Sequence, residues 1–145
     1  MDQKFDALRL ENQLCFPLYA CSREVIKRYR PYLDALGLTY TQYIVLMVIW
    51  EEGTVSVRDL GKRLFLDSGT LTPVLKTLEK MGLITRARSQ EDERVLLVTI
   101  TKAGQALREE ALTIPKQMAG CVKLTREERE TLYRLLYKML AANEE

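Results

Sequence analysis

Asp67-Ser68-Gly69-Thr70-Leu71-Thr72-Pro73-Val74-Leu75-Lys76-Thr77-Leu78-Glu79-Lys80-Met81-Gly82 is the stretch on which the fold turns. Leu71, Val74, Leu75, Leu78 and Met81 recur at the spacing of one helix face. Asp67 is placed to cap that helix and Gly82 to end it. Pro73 conflicts with this reading, because beyond the first turn it removes an intrahelical bond. In the alternative, Thr72 caps and Pro73 takes the first helical position. The apolar stripe already includes Leu71, which favours the longer helix.

Upstream, Ser56 and Asp59 have capping spacing and open a short helix, Val57 to Leu64, with Leu60 and Leu64 inward. Downstream, Leu83 to Arg88 and Val95 to Ile100 read as two strands. Between them lies the polar tip Ser89-Gln90-Glu91-Asp92-Glu93-Arg94. Two short helices joined by a tight turn and followed by a charged hairpin make a winged helix-turn-helix pattern.

Further out the chain is helical. Thr39 with Gln42 opens an apolar helix through Ile44, Val45, Leu46, Val48 and Ile49, which ends at Glu52-Gly53. Thr54-Val55 is too short for more than one extended step. Leu10 to about Leu33 has a helical rhythm, with Leu14, Leu18, Val25 and Ile26 near one face. Pro17 belongs in a first turn, so this helix begins near Asn12 or later. Thr101 caps a helix through Leu107, Ala111 and Ile114, interrupted by Pro115 and Gly120. Thr125 with Glu128 precedes a last helix carrying Leu132, Leu135, Leu136, Met139 and Leu140. The expected fold is mainly α with a small β-hairpin, one domain over residues 1–145. Its winged-helix core spans about 39–101, between helices at 5–35 and 102–142. Those outer helices carry more apolar surface than one small domain needs, at Leu8, Leu14, Leu132, Leu136 and Leu140. Packing across a two-fold axis to form a homodimer covers it, and Pro115 and Gly120 stop any long coiled coil.

Composition narrows the chemistry. Of 145 residues 47% are hydrophobic, enough for one core. With 22 basic and 20 acidic residues the net charge is only +2, so a nucleic-acid surface must come from arrangement. Residues 58–94 hold 8 basic against 6 acidic side chains, an excess too small to decide anything alone. Met1-Asp2-Gln3-Lys4-Phe5-Asp6 shows no basic region followed by an apolar run, and no stretch nears the ~18 apolar residues of a membrane span. The expected location is therefore the cytoplasm. The absence of histidine removes Ser-His and Cys-His catalysis and the common mixed zinc sites. Cys15, Cys21 and Cys121 show no Cys-x-x-Cys spacing, so neither a metal nor a cofactor is expected.

On the Asp67 helix, burial of Leu71, Leu75 and Leu78 leaves Ser68, Thr72 and Lys76 outward, with Thr70 and Pro73 nearby. Hydroxyls and a lysine suit base edges and phosphates, and Pro73 offers a thymine methyl an apolar contact. An ordinary solvated helix face has the same pattern. Arg86, Arg88 and Arg94 on or beside the hairpin favour the DNA reading, since a guanidinium at a wing tip can enter a minor groove.

Asp92-Glu93-Arg94 followed by Val95-Leu96-Leu97-Val98-Thr99-Ile100-Thr101 resembles the wing signature of the MarR family of regulators. Leu10-Glu11-Asn12-Gln13-Leu14-Cys15-Phe16, Leu66-Asp67-Ser68-Gly69-Thr70-Leu71-Thr72-Pro73 and Gly82-Leu83-Ile84-Thr85-Arg86 resemble its organic hydroperoxide-sensing branch, the OhrR repressors. The likeness covers nearly the whole chain and weakens after about Ile114. It implies a repressor whose reduced dimer binds a palindromic operator of double-stranded DNA through Asp67, Ser68, Gly69, Thr70, Thr72, Pro73, Lys76, Arg86, Asp92 and Arg94. It also implies that Cys15 is the peroxide-reactive thiolate, with Tyr29, Tyr40 and Tyr19 hydrogen-bonding around it across the dimer.

That assignment has a physical basis. A helix N-terminus stabilises a thiolate, and phenol O–H groups donate to it without bringing charge. Phe16 supplies an apolar surface for an organic hydroperoxide. Without the resemblance, Cys15 reads as a small core residue and the tyrosines as ordinary packing. Cys15 and Cys21, six residues apart, are separated by ~9 Å of helical rise on different faces, beyond disulfide reach. Some members of the branch carry a C-terminal cysteine that closes an intersubunit disulfide onto the oxidised sensor, and others are capped by a small thiol. Cys121 lies in roughly that region, which makes it the candidate resolving thiol, and Cys21 reads as packing.

The resemblance then implies that oxidation of Cys15 to a sulfenic acid, followed by condensation, misaligns reading heads set one duplex turn apart, ~34 Å. Two rivals remain. One is a MarR-type repressor released by a small aromatic ligand. The other is a thiol peroxidase, which gives the Ser68-to-Lys76 face and Arg94 no purpose.

Overall fold

In the computed structural model, which describes residues 3–143, helix α1 runs Cys15–Asp34 and α2 Tyr40–Glu52. Strand β1 (Thr54–Ser56), α3 (Val57–Leu64), α4 (Ser68–Lys80), β2 (Ile84–Arg88) and β3 (Leu96–Ile100) follow. Helices α5 (Lys102–Ala111), α6 (Ile114–Met118) and α7 (Arg126–Ala142) complete the chain. Met1, Asp2, Glu144 and Glu145, part of the expected 1–145 domain, lie outside the described residues.

The caps read from sequence are present. Thr39 Oγ1 accepts from the Gln42 N–H at 3.2 Å while Gln42 Oε1 accepts from the Thr39 N–H at 3.0 Å. The Thr125 and Glu128 pair repeats that reciprocal box at α7. Ser56, Asp67 and Thr101 cap α3, α4 and α5. Each cap satisfies an N–H that the helix itself leaves without a partner, typically worth about 1 kcal/mol. Helix α4 takes the longer of its two readings, with Pro73 inside it. The cost is low because the carbonyl Pro73 leaves unpaired belongs to exposed Gly69, two residues past the cap.

Four expectations need correction. The rhythm from Leu10 does not continue a helix: Gln3–Leu8 and Leu10–Asn12 are 3-10 turns, and Gln13 is extended. Gln13 Nε2 donates to the Ala7 and Arg9 carbonyls and Asn12 Nδ2 to the Asp6 carbonyl, which holds this segment as turns. Residues 54–56 form a strand rather than a single extended step. Val55 pairs with Val98, so the hairpin becomes a three-stranded antiparallel sheet in the order β1-β3-β2. The helix capped by Thr101 ends at Ala111, and Ile114 opens the separate α6 with Pro115 in its first turn. Thr72 is half-buried rather than outward.

The core lies between α2, α3, α4 and the sheet. Val45, Leu46, Ile49, Leu60, Leu71, Leu75, Leu78, Ile84 and Val98 are fully enclosed there. Two glycines set the root of the hairpin. Gly82 ends α4 at φ +78°, and Gly104 packs against the backbone where β2 begins. A Cβ at Gly104 would stand 2.3 Å from the Leu83 carbonyl oxygen. Gly104→Ala is therefore expected to cost about 1–3 kcal/mol, read as a lower urea midpoint with unchanged slope.

The outer helices behave differently. Within the single chain α1 buries only Leu33 and α7 buries nothing. Leu8, Leu14 and Tyr133 are 78%, 80% and 65% exposed.

Candidate nucleic-acid interface and thiol site

Helix α4 begins at a carboxylate. Asp67 Oδ1 accepts from the Thr70 N–H at 2.7 Å, and that bond holds its pKa below the ordinary value. A depressed carboxyl stabilises the fold fully above its unfolded pKa, and the contribution is lost as pH falls through the folded value. Titration from neutrality to about pH 3 is expected to loosen α4 in the wild type before it does so in Asp67→Asn, whose amide caps without titrating. Amide hydrogen exchange in residues 68–72 reads this.

Beyond the cap, Ser68, Gly69, Thr70, Pro73 and Lys76 are exposed along one flank. The Thr72 hydroxyl donates to the Ser68 carbonyl at 2.7 Å, leaving its oxygen free only to accept. Two cations not singled out from sequence join this flank. Arg58 and Lys62 of α3 line, with Asp67 and Ser68, an open cleft of about 660 Å³ between the two helices. Their spacing, one turn apart on α3, is the sequence signal that could have found them.

At the hairpin tip the Arg94 side chain is 90% exposed and gripped by Asp92. Nε donates to Oδ1 at 3.1 Å, Nη2 to Oδ2 at 3.2 Å, and the Arg94 N–H to Oδ1 at 3.0 Å. An exposed pair adds little stability, but this fork fixes where the guanidinium points. Arg88 is exposed on the same strand pair.

Arg86 is placed otherwise. It turns inward, its Nη2 donating to Glu79 Oε1 and its backbone N–H to Oε2, both at 3.1 Å. Its Nε is buried with no acceptor. Arg86 therefore ties the end of α4 to β2 and, unlike Arg94, presents no open charge to a ligand.

The three thiols are free. Cys15 is exposed at the first position of α1, where N–H groups lack helical partners, and Phe16 and Pro17 complete that turn. Tyr29 lies on the same helix about 21 Å further along, so these two cannot meet within one chain. Helical rise likewise keeps Cys15 and Cys21 apart. Tyr19 is also apart from the other tyrosines, its hydroxyl accepting from Arg23 at 3.2 Å.

Tyr29 and Tyr40 do come together, with ring centroids 5.0 Å apart. Tyr43, which the sequence left among apolar residues, joins them at 5.9 Å and 6.3 Å. Burial raises all three phenol pKa values, with neighbouring Cys121 adding to the rise at Tyr29. Each hydroxyl thus stays protonated and able to donate. Cys121 is half-buried beside this cluster, its carbonyl accepting from Arg28 Nη1 at 3.1 Å. The fold therefore gathers Tyr29, Tyr40, Tyr43 and Cys121 at one end of α1 and leaves Cys15 at the other.

A second cleft, about 230 Å³, opens between α2 and α5, lined by Tyr43, Met47, Trp50 and Arg108 among others. Among the described residues no three His, Cys, Asp or Glu side chains gather as a metal site, and no helix is long and apolar enough to cross a membrane.

Comparison with known proteins gives the family. The family described as transcriptional regulator SarA/Rot matches residues 27–111, more than half of the chain. The organic hydroperoxide resistance transcriptional regulator of Bacillus subtilis is 51% identical over 140 residues, 97% of this chain and 95% of that protein. Among solved structures, reduced AbfR bound to DNA, a Staphylococcus epidermidis protein, superposes with a TM-score of 0.79 at 37% identity, covering 99% of this chain and 100% of that one. Disulfide-formed AbfR gives a TM-score of 0.65 at 37% identity, covering 94% and 96%. The chain thus belongs to the SarA/Rot and MarR-type winged-helix transcriptional regulators, in the branch of the organic hydroperoxide resistance regulators.

Proposed function

We propose that the chain is a cytoplasmic, redox-sensing transcriptional repressor that works as a homodimer. The observation that carries this reading is the separation of Cys15 from the tyrosine and Cys121 cluster along α1. A second copy with its α1 antiparallel brings each Cys15 to the partner subunit's cluster and covers the apolar faces of α1 and α7. In the reduced dimer, the Tyr29 and Tyr40 hydroxyls donate to the Cys15 thiolate from across the interface. The two α4 helices enter successive major grooves of a palindromic operator, and Arg94 enters the flanking minor groove.

The switch is a covalent one. The Cys15 thiolate attacks the outer peroxide oxygen of an organic hydroperoxide, the O–O bond breaks, and an alcohol leaves as the sulfenic acid forms. The Cys121 thiol of the other subunit then displaces water from that sulfur, giving an intersubunit disulfide. Phenols that donated to a thiolate lose their acceptor, and the disulfide pulls the start of α1 toward the other subunit's α6. Support comes from AbfR: this chain superposes better on the reduced, DNA-bound form than on the disulfide form. Each protomer is consumed once per oxidation, which makes it a regulator and not a peroxidase.

Release by a small aromatic ligand is the second reading, favoured by the cleft between α2 and α5 with Arg108 at its rim. Operator anisotropy at fixed salt separates the two. Stoichiometric cumene hydroperoxide is expected to release the DNA, and excess dithiothreitol to restore binding. Release by salicylate or 4-hydroxyphenylacetate with all thiols intact would support the ligand reading. Continued hydroperoxide consumption beyond one equivalent per protomer under dithiothreitol, with DNA still bound, would support a peroxidase.

A further inference from the structure

Neither Tyr43 nor Trp50 is among the groups assigned above to the Cys15 thiolate or to DNA contact, yet both occupy one buried face of α2. They lie seven residues apart and are only 3% and 9% exposed. The Tyr43 ring lies against Tyr29 and Tyr40 on one side. On the other it meets Trp50 edge-on, with centroids 6.5 Å apart and ring planes at 72°. The Trp50 Nε1–H then donates to the Gly104 carbonyl at 2.8 Å in a buried bond.

Gly104 sits where α5 joins the end of α4 and the start of β2. Its N–H donates to Thr101 Oγ1 at 3.0 Å, and that hydroxyl donates to the Gly82 carbonyl at 2.7 Å. The Thr101 N–H donates to the Leu83 carbonyl at 3.1 Å. Gly82 ends α4 and Leu83 leads into β2, so these bonds fasten the first turn of α5 to the junction of reading helix and wing. The joint has no slack, since not even a Cβ fits between Gly104 and Leu83.

We propose that Tyr43 and Trp50 are positioning residues that couple the thiol site to the reading head. The inference rests on the redox reading above. In the reduced dimer, Tyr29 and Tyr40 hold the Tyr43 ring, which holds the Trp50 indole against α5. When those tyrosines lose the thiolate and shift, Tyr43 loses its backing and Trp50 moves. Gly104 follows through its hydrogen bond and carries the wing root with it. Spatial continuity alone does not establish coupling, so the test has to measure the coupling itself.

The quantity to measure is the ratio of operator Kd after and before stoichiometric hydroperoxide, for wild type, Tyr43→Leu, Trp50→Phe and the double variant. Trp50→Phe keeps a ring and removes the N–H donor; Tyr43→Leu keeps an apolar filler and removes the ring bridge. Each single variant is expected to bind reduced operator nearly as wild type does and to lower the ratio about tenfold. Because the two act in series, the double variant is expected to lower it no further. A residue that only filled the core would change stability and leave the ratio alone.

The wild type supplies a second readout, because Trp50 is the sole tryptophan. Its emission is expected to change with hydroperoxide in step with DNA release, and to stay constant in Cys15→Ser. The proposal is overturned if folded Tyr43→Leu and Trp50→Phe release DNA like wild type, or if their effects simply add. It is also overturned if wild-type emission is unmoved while DNA leaves, a result that needs no variant to fold. Failure of the wild type to release DNA at all would instead overturn the redox reading, and the coupling with it.

Discussion

Cys15→Ser is expected to bind operator within about twofold of wild type and to stay bound at hydroperoxide concentrations that release the wild type. The first half follows from position. Cys15 is exposed at the first turn of α1, outside α4 and the hairpin, and serine is close to isosteric. The second half follows from chemistry, because a serine hydroxyl is neither ionised at neutral pH nor able to become a sulfenic acid. The difference is large: loss of specific binding separates the two proteins by ~10³-fold or more in Kd after oxidation. Anisotropy with and without cumene hydroperoxide checks it. Release of Cys15→Ser alongside wild type would move the sensor elsewhere.

Arg94→Ala has the second largest expected effect, this time on the reduced protein. The guanidinium is 90% exposed and paired with Asp92 at the surface, so its removal costs the fold little. On the proposed operator complex the variant is expected to lose about 1–3 kcal/mol per half-site, with a salt slope lower by about one for each phosphate no longer neutralised. Thermal unfolding is expected to be unchanged while operator affinity falls. Arg86→Ala provides the contrast. Its half-buried guanidinium pairs with Glu79, and removing it leaves that carboxylate only the backbone N–H of residue 86 at the α4 to β2 joint. Its unfolding temperature should drop, with any fall in affinity following from the loosened joint. Identical behaviour of the two variants would refute the distinction drawn between them.

Much of the fold is legible in the sequence because its signals are local. Caps at Thr39, Ser56, Asp67, Thr101 and Thr125 depend on residues three apart, and apolar stripes on spacing within one helix. Pro73 is settled the same way, by the stripe beginning at Leu71. What stays hidden depends on distant partners. Residues 54–56 become a strand only because β3 lies beside them, and Gln13 ends the N-terminal turns through bonds to Ala7 and Arg9. Tyr43 is concealed among the apolar residues of α2, since nothing in that helix says that Tyr29 of another helix will stack on it. Arg86 looks like Arg94 until the fold brings Glu79 against it. The thiol site is half legible: helix rise alone separates Cys15 from Tyr29, but only the fold places Cys121 beside that tyrosine.

One titration tests the switch most directly. Wild-type protein on labelled operator takes cumene hydroperoxide in fractions of an equivalent. At each point anisotropy gives the fraction of DNA bound, and mass spectrometry of the quenched sample gives the fraction of Cys15 oxidised. A Cys15-driven switch makes the two curves coincide, complete near one equivalent per protomer and reversed together by dithiothreitol. DNA released while the Cys15 thiol is still intact, or DNA retained after Cys15 is fully oxidised, would contradict it.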